Sequence, residues 1–296
     1  MKSILVFIAG IFLFATNSVA VYPPAIIVQD VVTEEEASNT AKEGNKSTAD
    51  IHAKAAAKGV VKMMKAKPIK DSGVFGLQNL RLDAGFSYTE FNDSSINAQA
   101  DVEDYTLTLS GDINETLSFT LGYNLNRLDT DKGVDVVIES EGLNGSLIYR
   151  INDNYGFGGF ASYSWVDIEN LNGNSYAWST GIFFATSHDI EDTFTLSTVT
   201  SLYHIDYDSD HNHQVSFLVD ASKQWNDWLN TYVYASYTAS LRGSGSSTAD
   251  NSYFNYGVGF DITATDHLTF SFTYDTTESI HNYNDQTFMF NAGYSF

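Results

Sequence analysis

From residue 79 onward the chain alternates apolar and polar positions over segments of about ten residues. Leu80, Leu82, Ala84, Phe86 and Tyr88 share one parity, while Arg81, Asp83, Gly85 and Ser87 share the other. Leu117, Phe119, Leu121, Tyr123 and Leu125 alternate in the same way with Ser118, Thr120, Gly122 and Asn124. The pattern recurs in Tyr176, Trp178, Ile182 and Phe184, and again in Phe254, Tyr256, Val258, Phe260 and Ile262. A period of two predicts strands with one apolar and one polar face. Five short segments also resemble one another: Ile113 to Leu117, Ile151 to Tyr155, Ile190 to Phe194, Trp225 to Leu229 and Ala264 to Leu268. Each places polar turn formers between two apolar residues, the pattern of a tight hairpin turn. Longer polar stretches separate them, near residues 92–101, 128–135, 167–174, 206–213, 242–251 and 276–285. Five short turns alternating with six long loops predict twelve antiparallel strands, with both ends of the domain on one side.

Such a meander, short turns on one side and long loops on the other, is the layout of a transmembrane β-barrel in a bacterial outer membrane. A soluble sandwich also alternates, but rarely so regularly over twelve strands. The aromatics cluster toward strand ends: Tyr88, Tyr123, Tyr163, Trp165, Tyr176 and Trp178 on one side, Tyr155, Phe157, Phe194 and Trp228 on the other. Two interfacial girdles of this kind suit a lipid-facing wall. One strand, 193–206, is irregular: Phe194 and Leu196 are out of step with Val199 and Ile205, which predicts a bulge or a shifted boundary.

Residues 1–20 read as a secretory signal peptide: Lys2, an apolar run from Ile4 to Ala15, then Ser18-Val19-Ala20. That run is too short to span a bilayer, which takes about twenty residues. The chain has no cysteine, which excludes disulfide frameworks, thiol catalysis and thiolate metal sites. A formal charge of −22 argues against nucleic acid, whose phosphates require Lys and Arg clusters.

The charge is unevenly divided. Residues 42–70 hold eight of the fifteen basic residues and two acids, whereas residues 71–296 hold six basic and 31 acidic residues. After a short polar segment, 21–49, residues 50–70 read as a Lys-rich helix or linker. Asp50 is an N-cap, Ala and Lys favour the helix, and Pro68 stops it. Lys54, Lys58, Lys62 and Lys65 form one stripe, and most other positions are small. The same composition fits a solvated periplasmic linker. A helix of about 17 residues rises roughly 26 Å, close to the apolar height of a barrel wall. The predicted class is therefore all-β: a twelve-stranded antiparallel transmembrane β-barrel over 75–296 with an N-terminal helix in or capping the lumen. Acids on the polar strand faces, Asp83, Asp104, Asp220, Asp261 and Asp275, would meet the Lys stripe, with complementarity expected toward the rims.

The last strand, Phe288 to Phe296, carries Phe288, Phe290, Ala292, Tyr294 and Phe296 on one face. An alternating aromatic strand with a terminal Phe resembles the assembly signal of Gram-negative outer-membrane barrels. The resemblance implies that Tyr294 and Phe296 are recognised by the barrel assembly machinery. Twelve strands behind such a helix look like the translocator domain of autotransporters, in which the helix threads the pore. This chain departs from that pattern, since no β-helical passenger, protease or esterase segment precedes the helix.

No catalytic residues are assigned. His52, His188, His204, His211, His213, His267 and His281 are scattered, and neither Gly-x-Ser-x-Gly nor His-Glu-x-x-His occurs. His204 with Asp206 fits the His–acid pair of barrel phospholipases and proteases, and chance among 31 acids gives the same pairing. Asp206, Asp208 and Asp210 are the best metal candidate, three carboxylates at alternate positions, but they lack the Gly and closing Glu of a calcium loop. An acidic, solvated external loop is the plainer reading. No cofactor is expected. The expected partners are outer-membrane lipid and lipopolysaccharide, bridged by divalent ions, and the expected state is monomeric. Three functions fit: an autotransporter-like translocator with a helix plug, a small cation-favouring porin, or a structural or adhesive surface protein acting through external loops.

Overall fold

The computed structural model describes residues 77–93, 98–130, 137–168, 173–191, 193–207, 210–243, 252–279 and 283–296. The segments 1–20, 21–49 and 50–70, with Lys54, Lys58, Lys62 and Lys65, lie outside the described residues, as does Asp208. The twelve strands are β1 (Gln78–Asp93), β2 (Ala98–Asp112), β3 (Leu117–Thr130), β4 (Val137–Arg150), β5 (Tyr155–Ile168) and β6 (Gly173–Glu191), followed by β7 (Phe194–Tyr207), β8 (Asp210–Asn226), β9 (Leu229–Gly243), β10 (Tyr253–Thr263), β11 (Leu268–Ser279) and β12 (Tyr283–Ser295). Each pairs antiparallel with its neighbours in the chain, and β1 pairs with β12 from Arg81↔Ser295 to Asp93↔Tyr283. That last ladder closes the barrel and leaves no sheet edge.

The repeated turn segments owe their sequence to backbone capping. The side-chain oxygen of Asn114 accepts from the amides of Thr116 and Leu117, each at 2.9 Å. Asn152 caps Asn154 and Tyr155 in the same way, and Asn226 caps Trp228 and Leu229. Thr265 Oγ1 serves His267 and Leu268. A short polar side chain at the second position thus replaces the ladder bonds that the turn breaks. The segment from Ile190 carries a register shift between Asp189 and Glu191.

Alternation then sorts the side chains. The apolar parity faces outward: Ile182 is 64% exposed and Phe288 54%, and Leu121, Leu143, Val233 and Val258 are exposed beside them. So much exposed apolar surface is stable only against lipid. The outer girdle at the loop end includes tyrosines whose hydroxyls reach carboxylates toward the water. Tyr105 donates to Glu103 at 2.9 Å, Tyr123 to Glu141 at 2.9 Å and Tyr256 to Glu278 at 2.8 Å. At the turn end Tyr149, Tyr155, Phe157, Trp225 and Trp228 are exposed.

Two expectations are corrected. Three of the polar stretches, 92–101, 206–213 and 276–285, are mostly strand: β7 runs to Tyr207 and β8 resumes at Asp210, β1 runs to Asp93 before β2 begins at Ala98, and β11 runs to Ser279 before β12 begins at Tyr283. Crossing a bilayer takes about 9–11 residues, while β6 has 19 and β8 has 17. Beyond the lipid both strand faces are polar, so the period-two signal vanishes although pairing continues. The mixed parity of β7 is not a bulge within it. Its pairing with β8 is continuous from Phe194↔Lys223 to Tyr207↔Asp210. Val199, Tyr203 and Ile205 point inward, buried at 1%, 3% and 0% exposure, while Thr200 and Leu202 face outward.

Candidate functional site: the barrel lumen

The inner face is lined by the polar parity, and it has two unlike sides. From β4 to β8 an apolar cluster of Ile148, Phe160, Ala177, Phe183, Ala185, Val199, Tyr203, Ile205 and Leu218 lies on the wall, interspersed with buried serines such as Ser162, Ser179 and Ser201. Pairings such as Val199↔Ala185 and Val199↔Leu218 place these residues side by side on adjacent strands. Such a lumenal patch was not anticipated, because an inward apolar residue looks the same in sequence as an outward one.

From β8 to β11 the inner face is acidic and tyrosine-rich. Asp220, Tyr234, Gly257 and Asp275 are successive register partners across the four strands. The Tyr234 hydroxyl donates to the carboxylate of Asp275, which is fully buried. Tyr232 shares a 2.6 Å hydrogen bond with Thr273, and Asn230 donates to Asp261 at 3.2 Å. On the adjoining wall Asp104 accepts from Asn126 at 2.9 Å and from Ser87 at 3.3 Å. A buried carboxylate loses hydration and persists only where donors or cations replace it.

Asp83 and Asp261 lie toward the turn end, whereas Asp104, Asp220 and Asp275 sit within the body of their strands rather than near the rims. Two further inner acids were missed. Asp112 precedes the first turn, where it accepts from Ser118 and meets Arg150 at 3.3 Å. Asp285 accepts from the Thr277 amide at 3.2 Å, inside a stretch read as loop. Arg81 forks onto Asp83 at 2.8 Å. Besides Asp189, exposed at the turn rim, the described inner face carries these seven aspartates and two cations, Arg81 and Arg150.

The remaining candidates lie elsewhere. Tyr294 and Phe296 stand at the turn end, their rings 5.2 Å apart, and the Phe296 amide donates to Leu80 O at 2.9 Å. Phe296 is 42% exposed. Asp206 pairs with His211 and Tyr207 with Asp210, while Asp208 and the side chain of Asp210 lie outside the described residues. His204 lies beside His213 on the outer wall, ring centroids 4.7 Å apart. Among the described residues no group of three His, Asp or Glu is arranged to hold a metal ion.

A closed twelve-stranded meander with an apolar outer band, two aromatic girdles and a polar inner face is an outer-membrane β-barrel. No protein-family model and no curated protein matches the chain. Solved structures do. The chain is similar to the translocator domain of autotransporter NalP from Neisseria meningitidis, with a TM-score of 0.64, 14% identity, and coverage of 92% of this chain and 100% of that one. The β domain of the Bordetella autotransporter BrkA follows at 0.58, 10% identity, 74% and 99%. An outer-membrane channel from Pseudomonas putida F1 scores 0.57 at 12% identity, covering 78% and 100%. The protein is thus an outer-membrane β-barrel that resembles autotransporter β domains in fold, a fold shared with a channel.

Proposed function

We propose that the protein is a translocator-like outer-membrane pore whose basic segment, residues 50–66, occupies the lumen as a plug. The observation that carries this reading is the burial of short polar side chains on the inner face. Ser179, Thr277, Thr287 and Asp275 are each 0% exposed. Eight-stranded barrels are just narrow enough for side chains to fill, while wider ones open. Cross-strand partners, Ser162, Asn255, Thr89 and Tyr234, provide part of this cover; Ser and Thr are too short to close a twelve-stranded lumen, and a segment within it would provide the rest. The surplus of inner aspartates over inner cations favours a basic one, and Lys54, Lys58, Lys62 and Lys65 supply that charge. Neither catalytic machinery nor a cofactor enters this reading.

Planar-bilayer conductance of the full-length barrel, beside a version lacking residues 21–70, tests it. Deletion is expected to open a large, steady conductance that the full chain lacks. Equal conductance in both would make the protein a plain cation-favouring channel, the second reading that the acidic inner face supports.

A further inference from the structure

The lumen is amphipathic around its circumference, and nothing in a simple pore requires that. Ile148, Phe160, Phe183, Val199, Ile205 and Leu218 form an apolar arc on β4 to β8. Round the rest of the wall, β8 to β11 present Asp220, Tyr232, Tyr234, Asp261 and Asp275, and β12, β1 and β2, which stand opposite the arc in the closed strand order, present Asp285, Asp83 and Asp104. The two arcs reach the same depth, since Val199 and Tyr234 are equally far from the turn-end starts of β7 and β9. A water-filled channel gains nothing from an apolar arc, which interrupts the hydration of anything passing. An amphipathic helix gains from both arcs at once.

The basic segment has the matching pattern. Written as a helix at about 100° per residue, it places Ala53, Ala56, Val60 and Met63 opposite the stripe of Lys54, Lys58, Lys62 and Lys65. We propose that the lumen fixes the rotational setting of this segment: its Val60–Met63 face lies against the apolar arc of β4 to β8, and its Lys stripe against the acidic wall that runs from β9 through β12 to β2. The proposal rests on the plug reading and specifies its docking surface. Turning the segment by half a revolution would place ammonium groups on an apolar wall and leave the wall carboxylates facing methyl groups, both costly in a desolvated lumen. The barrel therefore acts as a keyed socket, and the apolar arc explains why β7 carries inward Val199, Tyr203 and Ile205.

The test uses the full-length barrel in outer membranes, with a photoreactive diazirine side chain at position 60 or at position 62, and adducts mapped by mass spectrometry. Position 60 is expected to cross-link to β4–β8 peptides in about tenfold excess over peptides of β9–β12, β1 and β2, and position 62 to show the inverse ratio. Equal or reversed ratios would overturn the keyed setting while leaving the plug in place. Absence of any cross-link to inner-face residues from either position would overturn the plug reading and the proposal with it. Because the native chain has no cysteine, disulfide trapping of V60C with L218C, against V60C with T273C, repeats the comparison with smaller side chains. Trapping in the first pair alone is the expected result, and trapping in the second alone would reverse the setting.

Discussion

Two glycines on the inner face of β10 decide how closely the tyrosines of β9 lie against the wall. Gly257 stands between Tyr234 and Asp275, and Gly259 opposite Tyr232. A Cβ at 257 would come within 2.6 Å of the Asp275 Cβ and 2.7 Å of the Tyr234 ring. The hydroxyl end of the ring lies against the glycine and donates to the Asp275 carboxylate. Gly145 on the outer face is different, since its Cβ would meet a Leu121 methyl at 3.3 Å and the Thr120 carbonyl at 3.6 Å. Gly257→Ala is therefore expected to cost about 1–3 kcal/mol through overpacking, and Gly145→Ala to stay within about 0.5 kcal/mol. Urea unfolding of both variants in lipid bilayers checks this, and a Gly257→Ala midpoint equal to wild type would remove the packing argument. The sequence showed that both glycines of β10 lie on the polar parity. It could not show which residues cross over them, because Tyr234 and Asp275 reach Gly257 only through the register of neighbouring strands.

At the scale of elements, the hairpins were the most legible feature. Five turn segments with a polar second position count the strands, since four of the five cap their own backbones through that residue. Strand ends were less legible, because outside lipid both faces turn polar and alternation stops while hydrogen bonding continues. β7 was the hardest, since apolar residues on both faces cancel the period-two signal. The structure turns that ambiguity into a prediction about facing. Ile205, buried at 0% exposure on the inner side, should not tolerate a polar group. Ile205→Asn is expected to destabilise the barrel by about 2–4 kcal/mol through lost packing and a stranded amide. Thr200 faces outward and is exposed, so Thr200→Leu should be neutral or stabilising in lipid and visibly less so in aqueous surfactant. Heat-modifiability of the folded band on gels reads both. Were β7 rotated by one residue, Thr200→Leu would be the damaging change and Ile205→Asn the mild one.

Charge is the property of the whole molecule. The acidic balance of residues 71–296 was plain from composition, and the five aspartates read on polar parity all lie on the inner face. Asp285 escaped notice because it sits in a stretch read as loop, and Asp112 because it stands at the strand end just before the first turn. The apolar arc escaped it because only closure of the barrel distinguishes inside from outside. With seven inner aspartates against two arginines, a barrel freed of residues 21–70 should prefer cations. Asp220 and Asp275 lie deepest in that wall, where low dielectric and poor screening give each charge its greatest reach. Neutralising both by Asp220→Asn and Asp275→Asn keeps shape and hydrogen-bonding capacity, and it should lower the cation-to-anion permeability ratio about twofold at 0.1 M salt. The difference should shrink at 1 M, where the Debye length falls from about 10 Å to about 3 Å. Reversal potentials across a potassium chloride gradient measure it. An unchanged ratio at low salt would mean that ions do not pass along the Asp–Tyr wall, and selectivity would then have to arise at the acidic loop-end rim.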